Sequence, residues 1–415
     1  MSFHAVFRYR PFATMWTGRL FSNTATQVQS VTIGWWVYTL ARHSYDERIS
    51  TFLVGMIGLA QFLPMFLLAL VAGAVVDRYD RRLILFGCYV LQAACALIFT
   101  LLSLSALQSL IPIFIVACLF GVSRTFGMPA GASLLSALVP REVLPKAVAW
   151  NTLCVQGGTI LGPLLGGWLA SVSVTAACAV ASGGYAVACL TGALLLRMDI
   201  NAKPPRTDVP RLTMIREGLA HLWDSKIVLG AISLDLFAVL LGGVTSLLPV
   251  YARDILHSGS QGFGELRAAF AVGAGLMTLA LAMRPIARHA GMWMLGGVAL
   301  YGVATMVFAL SQNMALSLAM LAIAGVADSI SVFVRQNLVQ IVVPDHMRGR
   351  VSAVSGLFIS ASNELGEFES GVAARLLGVV GAAVFGGAGS IAVTMIWARI
   401  FPALRRADHI KSPDL

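Results

Sequence analysis

Apolar runs of about 20 residues recur along nearly the whole chain, and they restrict its fold more than any other feature. Two of them read TFLVGMIGLAQFLPMFLLALVAGAVV and LILFGCYVLQAACALIFTLLSL. A helix of about 20 apolar residues crosses the roughly 30 Å hydrocarbon core of a bilayer. Twelve such helices are predicted, beginning near Phe12, Thr51, Leu83, Ile111, Ala147, Thr175, Ile227, Leu266, Met292, Ala315, Val351 and Val379. The 415 residues then leave no room for a large soluble domain, so we expect an all-α integral membrane protein.

The distribution of charge predicts how the chain is oriented in the membrane. Only 12% of the residues are charged, against about one quarter in soluble domains, and the formal net charge is +10. Because successive loops alternate between the two sides of the membrane, most of the 29 Lys and Arg residues fall on the side of the N-terminus. The opposite side receives Arg42, Arg48, Arg253 and Arg267. The positive-inside rule therefore predicts an inner-membrane protein with both termini in the cytoplasm, and the bilayer rather than nucleic acid as the partner of its basic residues.

A long polar stretch, RMDINAKPPRTDVPRLTMIREGLAHLWDSK, separates two groups of six predicted helices. The predicted domains are an N-terminal six-helix bundle, a linker, a C-terminal six-helix bundle and a cytoplasmic tail, at 1–197, 198–225, 226–401 and 402–415. Four apolar residues of the linker recur at helical spacing: Leu212, Ile215, Leu219 and Leu222. This spacing predicts a short helix on the cytoplasmic surface.

The second half repeats features of the first at an offset of 204 residues. The offset aligns Gly121 with Gly325, Gly162 with Gly366 and Gly167 with Gly371. Secondary transporters are commonly built from such repeated halves, with the substrate site at the repeat interface near the middle of the membrane. The repeat therefore predicts two pseudo-symmetric halves and a transport function.

The loop between the second and third predicted helices, GAVVDRYDRR, carries a family motif. It resembles the signature G-x-x-x-D-[RK]-x-G-R-[RK] of the major facilitator superfamily, which it matches at Gly73, Asp77, Arg78, Arg81 and Arg82. Asp80 stands where that signature has glycine. A carboxylate at a helix end can bridge to a neighbouring helix by charge-assisted hydrogen bonds, which a conformational change must break. We therefore predict a conformational latch; the alternative is an ordinary basic cytoplasmic loop.

The fifth predicted helix contains GGTILGPLLGG, which is unusually rich in glycine. It is similar to the signature G-x-x-x-G-P-x-x-G-G of the proton-coupled exporters of the superfamily, with matches at Gly158, Gly162, Pro163, Gly166 and Gly167. Glycines at a spacing of four residues form one stripe that permits close helix packing, and a proline permits a bend. Packing alone does not indicate a direction of transport. The resemblance implies export by antiport rather than import by symport.

The resemblance extends over almost the full length, to the branch of the superfamily that contains enterobactin exporters. The stretches QFLPMFLLALVAGAVVDRYDRR, ISLDLFAVLLGG and VPDHMRGRVSAV carry it. It implies a major facilitator fold with twelve transmembrane helices in two six-helix halves, working as a monomer. It also implies proton-coupled efflux of a small amphipathic molecule, such as a siderophore or a drug, by alternating access.

Nine formal charges fall within the predicted helices, at Arg19, Arg124, Asp235, Asp328, Arg335, Glu364, Glu367, Glu369 and Arg375. Placing one charge at the middle of a membrane helix costs about 3 kcal/mol. Nine such costs together exceed a typical folding margin of about 5 to 15 kcal/mol. These side chains are therefore expected to pair, to be protonated or to line a hydrated cavity.

Five polar side chains are candidates for substrate contact: Arg19, Asn23, Gln27, Arg124 and Arg335. In the superfamily the first, fourth, seventh and tenth helices line the central cavity, and here they carry two cations and two anions: Arg19, Arg124, Asp235 and Asp328. Helical spacing puts Asn23 and Gln27 on the face of Arg19, and puts Arg335 on the face of Asp328. The arginines would attract anionic groups of a substrate.

The eleventh predicted helix contains the acidic run NELGEFESG. Glu364 and Glu367 are about 60° apart around the helix, and neighbouring carboxylates in a low dielectric do not both ionise readily. One of the two is therefore expected to hold a proton. The candidates for proton coupling are Asp235, Asp328, Glu364 and Glu367. The alternative is that Glu364 and Glu367 are structural partners of Arg124 or Arg335.

Motifs for other chemistry are missing from the sequence. It has no G-x-x-x-x-G-K-[ST] loop, which argues against ATP hydrolysis as the energy source, and its six cysteines include no C-x-x-C pair. We therefore expect no enzyme activity, no cofactor and no metal. The leading hypothesis is a proton-coupled exporter. The alternatives are a proton-symport importer and a transporter-like receptor that binds its ligand without moving it.

Overall fold

The computed structural model describes residues 3–105, 109–200, 211–286 and 288–406, and it is built of helices. We number the main ones α1 Arg10–Ala41, α2 Glu47–Arg78, α3 Arg81–Leu104, α4 Ile111–Leu135, α5 Leu144–Val172, α6 Val174–Leu196, α7 Arg211–Asp224, α8 Lys226–Gly242, α9 Gly259–Met283, α10 Ala290–Leu310, α11 Met314–Val342, α12 Asp345–Leu377 and α13 Val379–Ile400. Each of the twelve predicted starting points lies in one of these helices. The parts 201–210 of the predicted linker and 407–415 of the predicted tail lie outside the described residues.

Ten helices in the described part of the chain are long and apolar enough to cross a membrane. The two remaining predicted spans, α1 and α12, have 32 and 33 residues and are also long enough, but they carry more polar side chains. Arg19 and Asn23 lie on α1, and Glu364 and Glu367 lie on α12. The fold is therefore that of a multi-pass membrane protein, and the membrane crossing of α1 and α12 stays a prediction.

Contacts divide the chain into two compact units. Unit 1 contains Met1–His43, Ala60–Asp208 and Gly259–Ala268, and unit 2 contains Ser44–Leu59, Val209–Ser258 and Ala269–Leu415. Two helices are shared, because the first part of α2 belongs to unit 2 and the first part of α9 belongs to unit 1.

In unit 1, α1 packs against α5 and α6, and α3 packs against α4 and α6. The glycine stripe of α5 permits the first of these contacts, because a Cβ atom on Gly158 would lie 3.1 Å from Cβ of Asn23. A Cβ atom on Gly166 would lie 2.9 Å from the carbonyl oxygen of Val28. The close helix contact predicted from the stripe is therefore present, and its partner is α1.

In unit 2, α10 packs against α11 and α13, and α8 packs against α12 and α13. Leu234 and Met294 are fully buried in the core that joins α8 to α10. The membrane span that begins with α8 is not one continuous helix. The helix α8 ends at Gly242, and the span continues in three short helical segments, Thr245–Leu247, Leu248–Val250 and Tyr251–Ile255.

The short helix predicted in the linker is α7, which is docked on unit 2. The Nη1 atom of Arg350 on α12 lies 2.6 Å from Oε2 of Glu217 on α7. Leu222 is 1% exposed and packs with Val351 and Val354 of α12. The side chains of Leu212 and Ile215 lie outside the described residues. The apolar face of α7 therefore packs on the ends of other helices of its own unit.

Candidate functional site

A buried ion pair joins α8 to α11 in unit 2. Nη1 of Arg335 donates a hydrogen bond to Oδ2 of Asp235, and the two residues are 3% and 4% exposed. The hydroxyl of Ser331, one turn before Arg335, donates to Oδ1 of Asp235 at 3.1 Å. Within the described residues, Nε of Arg335 has no hydrogen-bond partner. Asp235 is thus neutralised inside its own unit, and the unpaired Nε of Arg335 is buried from solvent.

Asp328 lies on the same face of α11 as Ser331 and Arg335, as the helical spacing predicts. It is half-buried and interacts electrostatically with Asp235 and Arg335. No hydrogen bond or ion pair is formed by Asp328 in the described part of the chain. The two acidic residues of this cluster therefore differ: Asp235 is bound to a guanidinium, and Asp328 keeps its carboxylate oxygens available.

Glu364 and Glu367 lie on α12, where the first part of α2 packs against them inside unit 2. Glu364 is 8% exposed and Glu367 is half-buried. A Cβ atom on Gly58 would lie 2.8 Å from the carbonyl oxygen of Glu364 and 3.2 Å from Oε2 of Glu367. The ion-pair partner of Arg335 is Asp235, so the alternative of Arg335 as the partner of Glu364 or Glu367 is not what the structure has.

The predicted substrate contacts of unit 1 lie on α1 and α4. Nη1 of Arg124 donates to Oε1 of Gln61 on α2 at 3.0 Å, and Nη1 of Arg19 is 3.5 Å from the carbonyl oxygen of Gly131 on α4. Both arginines are half-buried. Unit 1 therefore presents two partly accessible guanidinium groups.

Asn23 and Gln27 have a different setting from the two arginines. Nδ2 of Asn23 lies 3.9 Å from Sγ of Cys154 on α5, and the Cβ atom of Gln27 packs directly against Gly162. Each is half-buried, so part of each side chain also stays accessible. Their helix face thus serves, at least in part, to pack α1 on α5.

Gln61 was missed as a site residue by the sequence analysis. It is an amide inside an otherwise apolar run, and it follows Gly58 by three residues on α2. An isolated polar group inside a membrane helix needs a hydrogen-bonding partner. The sequence therefore indicated that Gln61 contacts another polar side chain, and the structure has Arg124 in that place.

The predicted latch residues form several contacts within unit 1. Nη1 of Arg81 donates to the carbonyl oxygen of Ser133 on α4 at 3.2 Å. Arg82 pairs with Asp80 at 2.7 Å and donates to the carbonyl oxygen of Met198, just after α6, at 2.6 Å. Gly73 is buried, Asp77 is half-buried and Arg78 is exposed. These arginines tie the start of α3 to two other helices, and the latch role itself stays a prediction.

Asp80 has a clear local function at the position where the family signature has glycine. Its carboxylate accepts a hydrogen bond from the backbone N–H of Arg82 at 2.9 Å, so it caps the N-terminus of α3. The same carboxylate holds the side chain of Arg82 in place. This departure from the signature therefore preorganises one of its arginines.

Asp80→Asn is expected to keep the helix cap and lose the ion pair. Because the pair is only partly buried, the free energy of unfolding should fall by no more than about 1 kcal/mol. Asp80→Ala removes the cap as well and should cost about 1 kcal/mol more. Melting temperatures of the two detergent-solubilised variants measure the difference, and equal melting temperatures would show that the cap is without effect.

The last glycine of the fifth-helix signature faces a different helix from the others. A Cβ atom on Gly167 would lie 2.6 Å from the carbonyl oxygen of Ser260 and 2.9 Å from Cα of Gly264, at the start of α9. Gly264 in turn lies against the carbonyl oxygen of Pro163. The signature therefore serves two contacts within unit 1: the glycine stripe on α1, and Gly167 on the start of α9.

Gly167→Ala is expected to separate α5 from the start of α9, because the new methyl group would overlap backbone atoms. The expected loss is about 1 to 3 kcal/mol of stability, accompanied by slower transport. Gly157→Ala on the same helix is the matched control, since a Cβ atom there meets nothing within 4 Å. If both variants unfold at the same temperature, the close contact at Gly167 has no energetic importance.

The helical fold with its buried charges is that of a membrane transporter of the major facilitator type. A solved POT family transporter in complex with a thioalcohol-conjugated peptide has a TM-score of 0.75 and 12% identity, over 95% of this chain and 96% of that one. A D-xylose-proton symporter has a TM-score of 0.72 and 14% identity, over 98% of this chain and 100% of that one. At these identities the likeness shows the fold.

Residues 1–413 match the family of transmembrane secretion effectors, and the chain belongs to that family. Among its relatives is the enterobactin exporter EntS of Citrobacter koseri, 28% identical over 385 residues, which are 92% of this chain and 85% of that protein. The enterobactin exporter EntS of Escherichia coli O157:H7 is 27% identical over the same shares. The predicted class is confirmed: the protein is a secondary transporter of small molecules and not an enzyme.

Proposed function

We propose that this protein is a proton-coupled exporter that moves a small amphipathic molecule, such as a siderophore or a drug, out of the cytoplasm by alternating access. The observation that carries the proposal is the contrast between Asp235 and Asp328. A carboxylate already held by a buried guanidinium is costly to neutralise, because its partner is then left uncompensated. Asp328 is half-buried and carries no such partner in the described residues, so it is the better exchange site.

Exchange at one carboxyl group explains antiport in simple terms. When Asp328 is ionised, it accepts hydrogen bonds from hydroxyl or amine groups of a substrate. When it is protonated, that capacity falls and the substrate is released. Substrate and proton therefore exclude one another at this group. A proton that enters from outside binds Asp328 and releases the substrate. Loss of this proton to the cytoplasm permits the next substrate to bind.

Other charged groups have supporting roles in this proposal. Arg335 is held by Asp235 and has one buried Nε donor without a partner in the described residues, and Arg19 and Arg124 would bind anionic groups of the substrate. Glu364 and Glu367 stay candidates for a second proton site. The names of the relatives favour a siderophore as substrate, and the basic residues favour cytoplasmic termini.

A retention assay tests the proposed direction and substrate class. The gene is deleted in its host, and intracellular metabolites and siderophores are compared with the parent strain by mass spectrometry. We expect one amphipathic metabolite to accumulate inside the deletion strain, and expression of the wild-type protein to reverse this, whereas Asp328→Asn does not. A metabolite that is instead depleted inside the cell would indicate import and contradict the proposal.

A further inference from the structure

The membrane span that begins with α8 is interrupted directly after Gly242, at Gly243 and Val244, inside an apolar segment of 30 residues, Lys226–Ile255. The last carbonyl groups of a helix have no intrahelical donor. The hydrocarbon core of a bilayer offers none either, so such an interruption needs donors from the protein itself. Donors from neighbouring helices would show that the fold accommodates the interruption.

Three hydroxyl groups from three different helices of unit 2 serve the end of α8. Oγ of Ser390 on α13 lies 3.2 Å from the carbonyl oxygen of Ala238, and it shares its one proton with the carbonyl oxygen of Gly386 in its own helix, at 3.0 Å. The hydroxyl of Tyr301 on α10 donates to the carbonyl oxygen of Gly242 at 2.7 Å. Oγ of Ser370 on α12 donates to the carbonyl oxygen of Gly243. Side-chain hydroxyl groups therefore serve the carbonyl groups of Gly242 and Gly243, at the break itself.

Close packing surrounds the same carbonyl groups. A Cβ atom on Gly242 would lie 2.5 Å from Cε1 of Tyr301 and 2.6 Å from Oγ of Ser390, so only glycine fits there. A Cβ atom on Gly366 of α12 would lie 2.9 Å from the carbonyl oxygen of Val239. Glycine on both helices therefore permits the hydroxyl groups to reach the backbone of α8.

We infer that Gly242–Val244 is a pivot of the transport cycle and that Tyr301 and Ser370 are the positioning residues that hold it. The pivot joins α8, which carries Asp235 two turns earlier, to the segment Thr245–Ile255. Two hydroxyl bonds, to the carbonyl groups of Gly242 and Gly243, replace the continuous helical ladder here, so the segment can change direction by breaking these bonds rather than by unwinding a helix.

Ser370 connects this pivot to α12, the helix that carries Glu364 and Glu367. Ser370 lies on α12, one turn beyond Glu367, so a change at Glu364 or Glu367 that shifts α12 also shifts the donor to Gly243. The inference rests on the proposed transport function for its purpose. The structural part, that these hydroxyl groups hold the break closed, is independent of any substrate.

Hydrogen exchange of the full-length protein in detergent tests the pivot. Tyr301→Phe and Ser370→Ala each remove one donor and keep the side-chain volume nearly unchanged. We expect each to raise amide exchange in residues 243–250 about fivefold, the effect of one hydrogen bond. Ser370→Thr retains a hydroxyl group and should restore most of the protection.

Matched controls separate the pivot from general loosening. Ser362 donates to the carbonyl oxygen of Ile359 in its own helix α12, and Thr394 donates to that of Ser390 in α13. Ser362→Ala and Thr394→Val should leave residues 243–250 unchanged. Unchanged exchange in both Tyr301→Phe and Ser370→Ala, or an equal rise in the controls, would overturn the inference.

Transport measurements then distinguish the pivot from the proposed function. With enterobactin as the probe, Tyr301→Phe should lower the maximal transport rate severalfold and change the apparent KM less than twofold, because the pivot does not touch the substrate. If exchange responds as expected but wild-type protein moves no enterobactin and no protons, the pivot stands and the proposed function fails. A change confined to KM would contradict the pivot role.

Discussion

Asp328→Asn is expected to abolish substrate-driven proton movement, to the level of protein-free liposomes, while the protein still folds. An asparagine side chain cannot bind and release a proton, so the substitution removes the exchange step and leaves the shape of the residue almost unchanged. Because Asp328 has no ion-pair partner among the described residues, no buried cation is left behind. The melting temperature should therefore stay within a few degrees of the wild-type value.

Proteoliposomes that contain a pH-sensitive dye measure this effect directly. Enterobactin is added outside, and the internal pH is followed for the wild type, for Asp328→Asn and for Glu367→Gln. If Asp328→Asn retained wild-type proton movement, Asp328 would not be the exchange site. Loss in Glu367→Gln alone would move that role to the acidic helix α12.

Asp235→Asn is expected to act mainly through folding, in contrast to Asp328→Asn. It leaves the guanidinium of Arg335 buried, with 3% exposure, and without its counter-charge. Removing one partner of a buried ion pair costs about 3 to 5 kcal/mol. The yield of folded protein and its melting temperature should therefore both fall strongly.

The double variant Asp235→Asn with Arg335→Gln separates folding from transport. Two amides of similar size can hydrogen-bond to one another without a net charge, so most of the lost stability should return. Transport should not return, since the guanidinium proposed to contact substrate is gone. A double variant as unstable as Asp235→Asn alone would show that the pair does not carry the cost, and restored transport would exclude Arg335 from the substrate site.

The helices could be predicted from sequence because a membrane imposes a length and a polarity on each of them. Even α1 and α12, which carry Arg19 and Glu364, begin at Arg10 and Asp345, two and six residues before the predicted starts. The linker helix α7 was also predicted from the spacing of Leu219 and Leu222, although its apolar face packs on other helices of unit 2.

The partners of the charged residues could not be predicted in the same way. Asp235 and Arg335 are 100 residues apart, and their pairing depends on how α8 packs on α11. The superfamily pattern of cavity-lining helices placed Asp235 and Arg19 in the same predicted cavity. That pattern says which helices line the cavity and does not describe contacts between helices of one six-helix half. Spacing along a single helix was more reliable, as the shared face of Asp328 and Arg335 shows.

The sequence contains only a weak indication of the pivot at Gly242–Val244. Its two adjacent glycines end the stretch ISLDLFAVLLGG, where they served only as part of a family resemblance. Tyr301 and Ser370 read as ordinary polar residues of membrane helices, since nothing in their spacing points to a carbonyl group on another helix. Such tertiary hydrogen bonds emerge only from packing.

Membrane vesicles of defined orientation test the central claim, proton-coupled export, most directly. Inside-out vesicles that contain the protein are acidified internally, and labelled enterobactin is added outside. We expect accumulation that requires the pH gradient, is lost on addition of a protonophore and is absent for Asp328→Asn. Accumulation that survives the protonophore, or that occurs only in right-side-out vesicles with the gradient directed inward, would contradict it.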